Sequence, residues 1–167
     1  VSNLDEQLGA DIGGIQHSSS ATVSLTWDTD DLGFDLNAFG LLCPLVEKRD
    51  MMAASYSSTK WPGRAPEGKA VMRGFVGGPH NQAVMENDDD ALVEIVIREF
   101  RDIFGLKVDP RFAVVGRWTN GMPQYTLGHL DRIDRIERRV GAIPGLGIGG
   151  GSYRGVGVPN CIESGEA

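Results

Sequence analysis

Cysteine is scarce. Cys43 and Cys161 are the only two in 167 residues; they form no CxxC pair and cannot make a cysteine-only zinc site. A reduced, cytoplasmic setting is the simpler expectation. Basic charge is also short, with 16 Lys and Arg against 23 Asp and Glu, a formal net charge of −7. That balance argues against a protein that works by neutralising phosphates, so neither nucleic acid nor an anionic membrane surface is expected as a partner. No stretch approaches the roughly 20 apolar residues that cross a bilayer, and Val1 to Gly14 carries acids and no basic leader. The chain reads as soluble and unprocessed. What it does have is 41% hydrophobic side chains, enough for a real core.

The apolar residues are organised in two periods. Residues 1–20 read as a lead-in with a weak helical signal at Leu4, Leu8 and Ile12, ended by Gly13 and Gly14. Ala21 to Trp27 alternates cleanly, with Val23, Leu25 and Trp27 on one face, the pattern of a half-buried strand. Further strands are expected at Phe39–Cys43, closed by Pro44, at Met51–Ser57 and at Lys69–Val76, separated by turn-rich segments such as Trp61 to Gly68. Four short strands joined by turns suggest an antiparallel meander.

The period then changes to 3.6. Asp88-Asp89-Asp90 supplies an N-cap and favourable charge, and Leu92, Val96, Ile97, Phe100, Ile103 and Phe104 make one apolar face ending at Gly105. The acidic run lacks the spacing and glycine of an EF-hand loop, so capping explains it better than calcium. After a strand at Phe112–Trp118, a second helix is expected from about Thr126, with Leu127, Leu130, Ile133, Ile136 and Val140 inward. Asp131 with Arg135 and Asp134 with Arg138 stand at i,i+4 spacing. Leu146–Ile148 completes a βαβ-like piece whose last strand would run parallel to Phe112–Trp118. The expected class is α+β, or mixed α/β. The expected division is a lead-in at 1–20, a sheet-and-helix domain at 21–118, and a terminal region at 119–167.

Glycine crowds the end of the chain. Gly145-Leu146-Gly147-Ile148-Gly149-Gly150 matches GxGxxG as a string, but the dinucleotide fingerprint needs a preceding strand, a long following helix and an acid about 20 residues on. That reading is rejected. Asn160 with Glu163 three residues later resembles a capping box, so a helix is expected to start there. Barely a turn would follow before Ala167, and the chain is therefore expected to be cut from something longer. A glycine-rich loop before a helix start suits partial negative charge on a ligand, although an ordinary surface loop accounts for the spacing equally well.

At four places the residues resemble a known family. Ser152 to Gly165 (Ser-Tyr-Arg-Gly-Val-Gly-Val-Pro-Asn-Cys-Ile-Glu-Ser-Gly) resembles the closing FAD-contacting motif of the oxygen-dependent protoporphyrinogen and coproporphyrinogen oxidases. Met122 to His129 resembles their PQYTxGH segment, Phe39 to Pro44 their GF-leading strand, and Ser57 to Pro66 the SSxKxPxRAP turn, followed by Phe75-Val76-Gly77-Gly78. The order and spacing agree from about Ile15 onward. Two departures are local: Gly149-Gly150-Gly151-Ser152 stands where the family has Ala-Gly-Asn-Ser, and Cys43 where valine is common.

The resemblance implies a carboxyl-terminal portion of an FAD-dependent, amine-oxidase-like flavoprotein, with the amino-terminal FAD-binding portion as its missing partner and a porphyrinogen as substrate. It implies that Trp118, Gly150, Gly151, Val156, Gly157 and Val158 lie along the flavin, and that Phe39, Gly40, Leu42, Ser55 and Phe75 frame the tetrapyrrole. From the residues alone, Trp118 serves equally as core, and for Leu42 and Phe39 core packing is the favoured expectation. No catalytic side chain is assigned, because hydride leaves a porphyrinogen bridge carbon for the flavin. His129 is expected to be a capping or surface residue, and His17 and His80 stand too far apart in sequence to suggest a metal. A peripheral membrane contact of the complete enzyme and self-association of the chain through an uncovered apolar face stay open. The competing function is a noncatalytic module that binds a tetrapyrrole or a partner protein.

Overall fold

The computed structural model of the protein describes residues 3 to 166. It divides into two compact units, one of Ser19–Thr119 and one of Val1–Ser18 with Asn120–Ala167. The strands are β1 (His17–Asp28), β2 (Gly40–Leu42), β3 (Met51–Tyr56), β4 (Lys69–Gly77) and β5 (Phe112–Pro123). They form one antiparallel sheet in the order β2-β3-β4-β1-β5. The helices are α1 (Glu6–Gly13), α2 (Ser57–Lys60), α3 (Asp89–Phe104), α4 (His129–Gly141) and α5 (Val158–Glu166). The mixed α+β class is as expected, and the meander holds for β2, β3 and β4.

The strand order differs at β1, which pairs with β4 rather than with β2. The reason is the connection. Residues 29–39 are far too many for a tight hairpin turn, and Leu32, Phe34 and Leu36 within it pack on the core instead. β1 then finds its match in the nine residues of β4, with Thr22 opposite Phe75, Ser24 opposite Arg73 and Thr26 opposite Val71. The alternation read from the sequence holds: Val23, Leu25 and Trp27 are buried on one face of β1.

α3 covers that face. Asp88 caps it, accepting from the Ala91 amide at 2.8 Å, and Gly105 ends it in a left-handed conformation at φ 69°. Leu92, Val96 and Phe100 are fully buried against the sheet, and Phe100 meets Trp27 edge-to-face at 5.9 Å. Glu99 is buried on the same helix because its carboxylate accepts from the Asp50 amide at 3.1 Å and from Arg49 at 3.0 Å.

In the other unit, the weak helical signal near the amino terminus becomes a formed helix. Asp5 caps α1, and Leu8 is fully buried with Ile133, Ile136 and Val140 of α4. Neither amphipathic face is stable alone; each supplies the other's apolar surface. Leu127 and Leu130, expected inward, are exposed, because the helix starts only at His129 and its buried stripe runs through His129, Ile133, Ile136 and Val140, leaving Leu130 on the other side. The i,i+4 acid–arginine pairs are also not formed as side-chain pairs. Arg135 reaches Asp11 at 2.9 Å, Arg139 reaches Asp5 at 2.8 Å, and Asp134 pairs with Arg154 at 2.7 Å. Leu146–Ile148 is not a strand, so no βαβ unit closes. Its apolar residues pack on the α1–α4 core instead.

The Asp11–Arg135 pair carries a pH dependence. The Asp11 side chain is 7% exposed, and its Oδ2 has no hydrogen-bond partner among the described residues. The Arg135 guanidinium holds this carboxyl below its usual value, against the burial that raises it. Stability from the pair is therefore present above the unfolded carboxylate pKa and lost as pH falls through the lowered folded one. In Arg135→Ala the desolvation acts with far less opposition and the Asp11 carboxyl rises. The variant is expected to melt below the wild type by a gap that is widest at about pH 7 and narrows toward about pH 4, as Asp11 takes up a proton. Thermal melts at both pH values test this; a gap that does not change with pH would exclude the pair as its source.

Candidate functional site

The face of the sheet opposite α3 is built by strict alternation. One row across it is Leu42, Ala53, Phe75 and Thr22; the next is Gly40, Ser55, Arg73 and Ser24. β5 extends the first row, since a Cβ on Gly116 would stand 3.1 Å from Thr22 Oγ1 and 4.0 Å from the indole nitrogen of Trp118. Trp118 therefore lies on this same face, and at 58% exposure it is not a core tryptophan. Leu42 is 84% exposed, and Val114 and Phe112 are exposed further along β5. Such a run of large apolar groups on one face marks a surface made to be covered. Phe39, exposed, precedes β2, and its carbonyl accepts from the Tyr56 amide at 3.0 Å.

The structure thus brings Gly40, Leu42, Ser55, Phe75 and Trp118 onto one surface, with Phe39 at its edge. Gly40 has a backbone reason for its identity: at φ 154° a Cβ would collide with the Ala54 carbonyl oxygen. Arg73 sits in the middle of the face and was not singled out by sequence; the signal was a basic residue within the otherwise apolar and glycine run Ala70–Gly77. Its Nε donates to Ser24 Oγ at 3.0 Å. Burial, with Glu99 nearby, pushes the thiol of Cys43, beside β2, up.

The glycine-rich loop belongs to the other unit and is held at several points. Tyr125 donates its hydroxyl to the Gly151 carbonyl at 2.7 Å, and the Gly150 amide donates to Ser164 Oγ at 2.8 Å. His129, expected as a capping or surface residue, is buried in the first turn of α4, whose N-cap is Gly128. It stacks on Tyr125 with ring centroids 4.0 Å apart and donates from Nε2 to the Tyr153 carbonyl at 2.7 Å. His17 donates from Nδ1 to the Ile15 carbonyl and receives the Ser152 hydroxyl on Nε2 at 3.1 Å. The PQYTxGH-like segment is thus the brace for the loop, a relation that sequence separation concealed.

Gly150, at φ 112° with open space where a side chain would be, is half-buried, as is Gly151, while Val156 and Val158 are exposed. The helix start differs from the capping-box expectation. α5 begins at Val158, and the Gly157 carbonyl accepts from the Cys161 amide at 3.0 Å, so Gly157 is the N-cap. Asn160 lies inside the first turn and folds back: a Cβ on Gly157 would stand 2.8 Å from its Oδ1. A groove of about 560 Å³ beside this loop is lined by residues including Glu137, Leu146, Gly147, Arg154 and Glu163, and by none of the six expected flavin contacts.

Residues 10–167 match the family described as flavin containing amine oxidoreductase. The coproporphyrinogen III oxidase of Staphylococcus aureus is 35% identical over 147 residues, 87% of this chain and 32% of that protein. The chloroplastic protoporphyrinogen oxidase of rice, Oryza sativa subsp. japonica, is 32% identical over 133 residues, 77% of this chain and 25% of that protein. Among solved structures, a candidate protoporphyrinogen oxidase from Exiguobacterium sp. 255-15 superposes with a TM-score of 0.83 at 28% identity, covering 97% of this chain and 37% of that one. Reduced UDP-galactopyranose mutase, at a TM-score of 0.55 and 13% identity, shares the fold alone. The chain spans about a third of the length of such relatives. With its open-faced sheet, its braced glycine loop and a family match across nearly every residue, the chain belongs to the flavin-containing amine oxidoreductases.

Proposed function

We propose that this chain is the carboxyl-terminal part of an FAD-dependent oxidase that dehydrogenates a porphyrinogen to a porphyrin, with O2 as acceptor, in haem biosynthesis. The observation that carries the reading is the open sheet face, where Phe75, Leu42 and Trp118 present flat and aliphatic surface around the small residues Gly40, Ser55 and Gly116. A flat, largely apolar macrocycle buries such a surface with few polar contacts.

The residues fit one part of FAD. Gly150 leaves open space beside a braced backbone, and Gly151, Val156, Gly157 and Val158 would offer main chain and small side chains to the flavin ring. No strand, glycine turn and long helix of the pyrophosphate-binding type occurs among the described residues. When bound, FAD supplies the hydride acceptor. The chain's own residues would bind and orient: Phe75 and, on the same sheet face, Trp118, the residue expected beside the flavin, offer planar contact, while Tyr125 and His129 fix the loop through the Gly151 and Tyr153 carbonyls.

The test pairs this chain with a flavin-binding amino-terminal portion from one of the relatives. The chain alone is expected to retain no FAD, and the pair to hold it and to form porphyrin from porphyrinogen above the rate of autoxidation, read by porphyrin fluorescence. A flavin-loaded pair that leaves porphyrinogen at the autoxidation rate would favour the noncatalytic binding module instead. The same exposed face supports self-association of the isolated chain.

A further inference from the structure

We infer that Arg73 is a carboxylate-binding residue at the centre of the open sheet face, and that its ligand is a peripheral carboxylate of a tetrapyrrole. This rests on the reading of that face as the macrocycle surface. Arg73 is half-buried in β4, flanked on the same face by Val71 and Phe75 and across the strands by Ser24 and Ser55. Only its Nε is used, in the bond to Ser24 Oγ. Neither terminal nitrogen meets an acceptor among the described residues, and no carboxylate pairs with it there.

Most arginines of this unit are paired: besides Arg73, only the exposed Arg64 lacks a carboxylate among the described residues. Arg49, Arg111 and Arg117 in the same unit all close on carboxylates, at 2.6, 3.0 and 2.7 Å. A half-buried guanidinium keeps its charge and its forked donors, and its terminal nitrogens, engaged by no protein group among the described residues, are free to exchange water for a planar acceptor. Ser24 holds the Nε edge and leaves the Nη pair to receive a carboxylate by two parallel bonds. The occupant follows from the two chemistries side by side: a flat apolar body for Phe75, Leu42 and Trp118, and an anionic rim group for Arg73.

The experiment measures binding of coproporphyrin, which carries four carboxylates, and of its neutral tetra-amide to the full chain by fluorescence titration. Wild type is expected to prefer the acid by on the order of tenfold or more, and the preference should shrink as salt is raised. Arg73→Leu should bind the acid as weakly as the amide while keeping its affinity for the amide, which shows that the sheet is intact. Arg73→Lys, with charge but no fork, should recover part of the preference. Equal binding of acid and amide by wild type, or a preference that survives in Arg73→Leu, overturns the role of Arg73 and leaves the macrocycle surface standing. Binding of neither compound overturns the surface itself, and this inference with it.

Discussion

Truncating Phe100 to alanine is expected to destabilise the unit of Ser19–Thr119 by about 3–5 kcal/mol, lowering its melting temperature on the order of 10 °C. Phe100 is fully buried where α3 crosses the sheet, packed edge-to-face on Trp27 at 5.9 Å and tilted against Phe104 at 5.8 Å. Removing the ring forfeits its transfer free energy and leaves a cavity. Collapse is hindered because the Trp27 indole is tied to the Val108 carbonyl at 3.1 Å. Near-UV circular dichroism follows the transition, since the rings involved are packed and asymmetric. Phe100→Leu should recover more than half of the loss, whereas Glu94→Ala on the exposed side of α3 should stay within about 0.5 kcal/mol. A Phe100→Ala effect no larger than that of Glu94→Ala would mean that α3 does not hold the sheet.

Gly74→Ala reverses a familiar expectation. A glycine inside a strand costs roughly 0.5–1 kcal/mol relative to alanine, so the change ordinarily stabilises. Here the added Cβ would stand 2.5 Å from Val96 Cγ1 and 3.1 Å from Met51 Sδ. Val96 is fully buried on α3 and stiff at χ1, so it has little room to turn away. The expected result is destabilisation by about 1–3 kcal/mol in chemical denaturation. Gly74 lies between Arg73 and Phe75, whose side chains point to the opposite face, so the strain is expected to weaken binding at the proposed macrocycle surface as well. Val96→Ala in the same chain should relieve part of both defects by opening the space that the new methyl needs. A Gly74→Ala protein as stable as wild type would show that α3 sits looser on β4 than the packing described here.

The local patterns carried a good deal of this protein. The alternation of Val23, Leu25 and Trp27, and the spacing of Leu92, Val96 and Phe100 between Asp88 and Gly105, report which atoms must leave water and which caps close the backbone. Those are short-range requirements, written into neighbouring residues. The family resemblance was legible for a different reason, since Met122 to His129 and Ser152 to Gly165 are contiguous runs of chemically particular residues.

What only the tertiary structure decided was which distant residues meet. β1 pairs with β4 because the eleven residues at 29–39 cannot make a tight turn, a fact about chain reach and core packing rather than about either strand. Leu8 becomes core only where α4 supplies its partner surface, and Arg135 and Arg139 turn from their own helix to Asp11 and Asp5. In sequence Trp118 serves equally as a core residue or a ligand contact, and nothing singles out Arg73. Alternation and cross-strand register, set by hydrogen bonds between segments dozens of residues apart, place both on one open face.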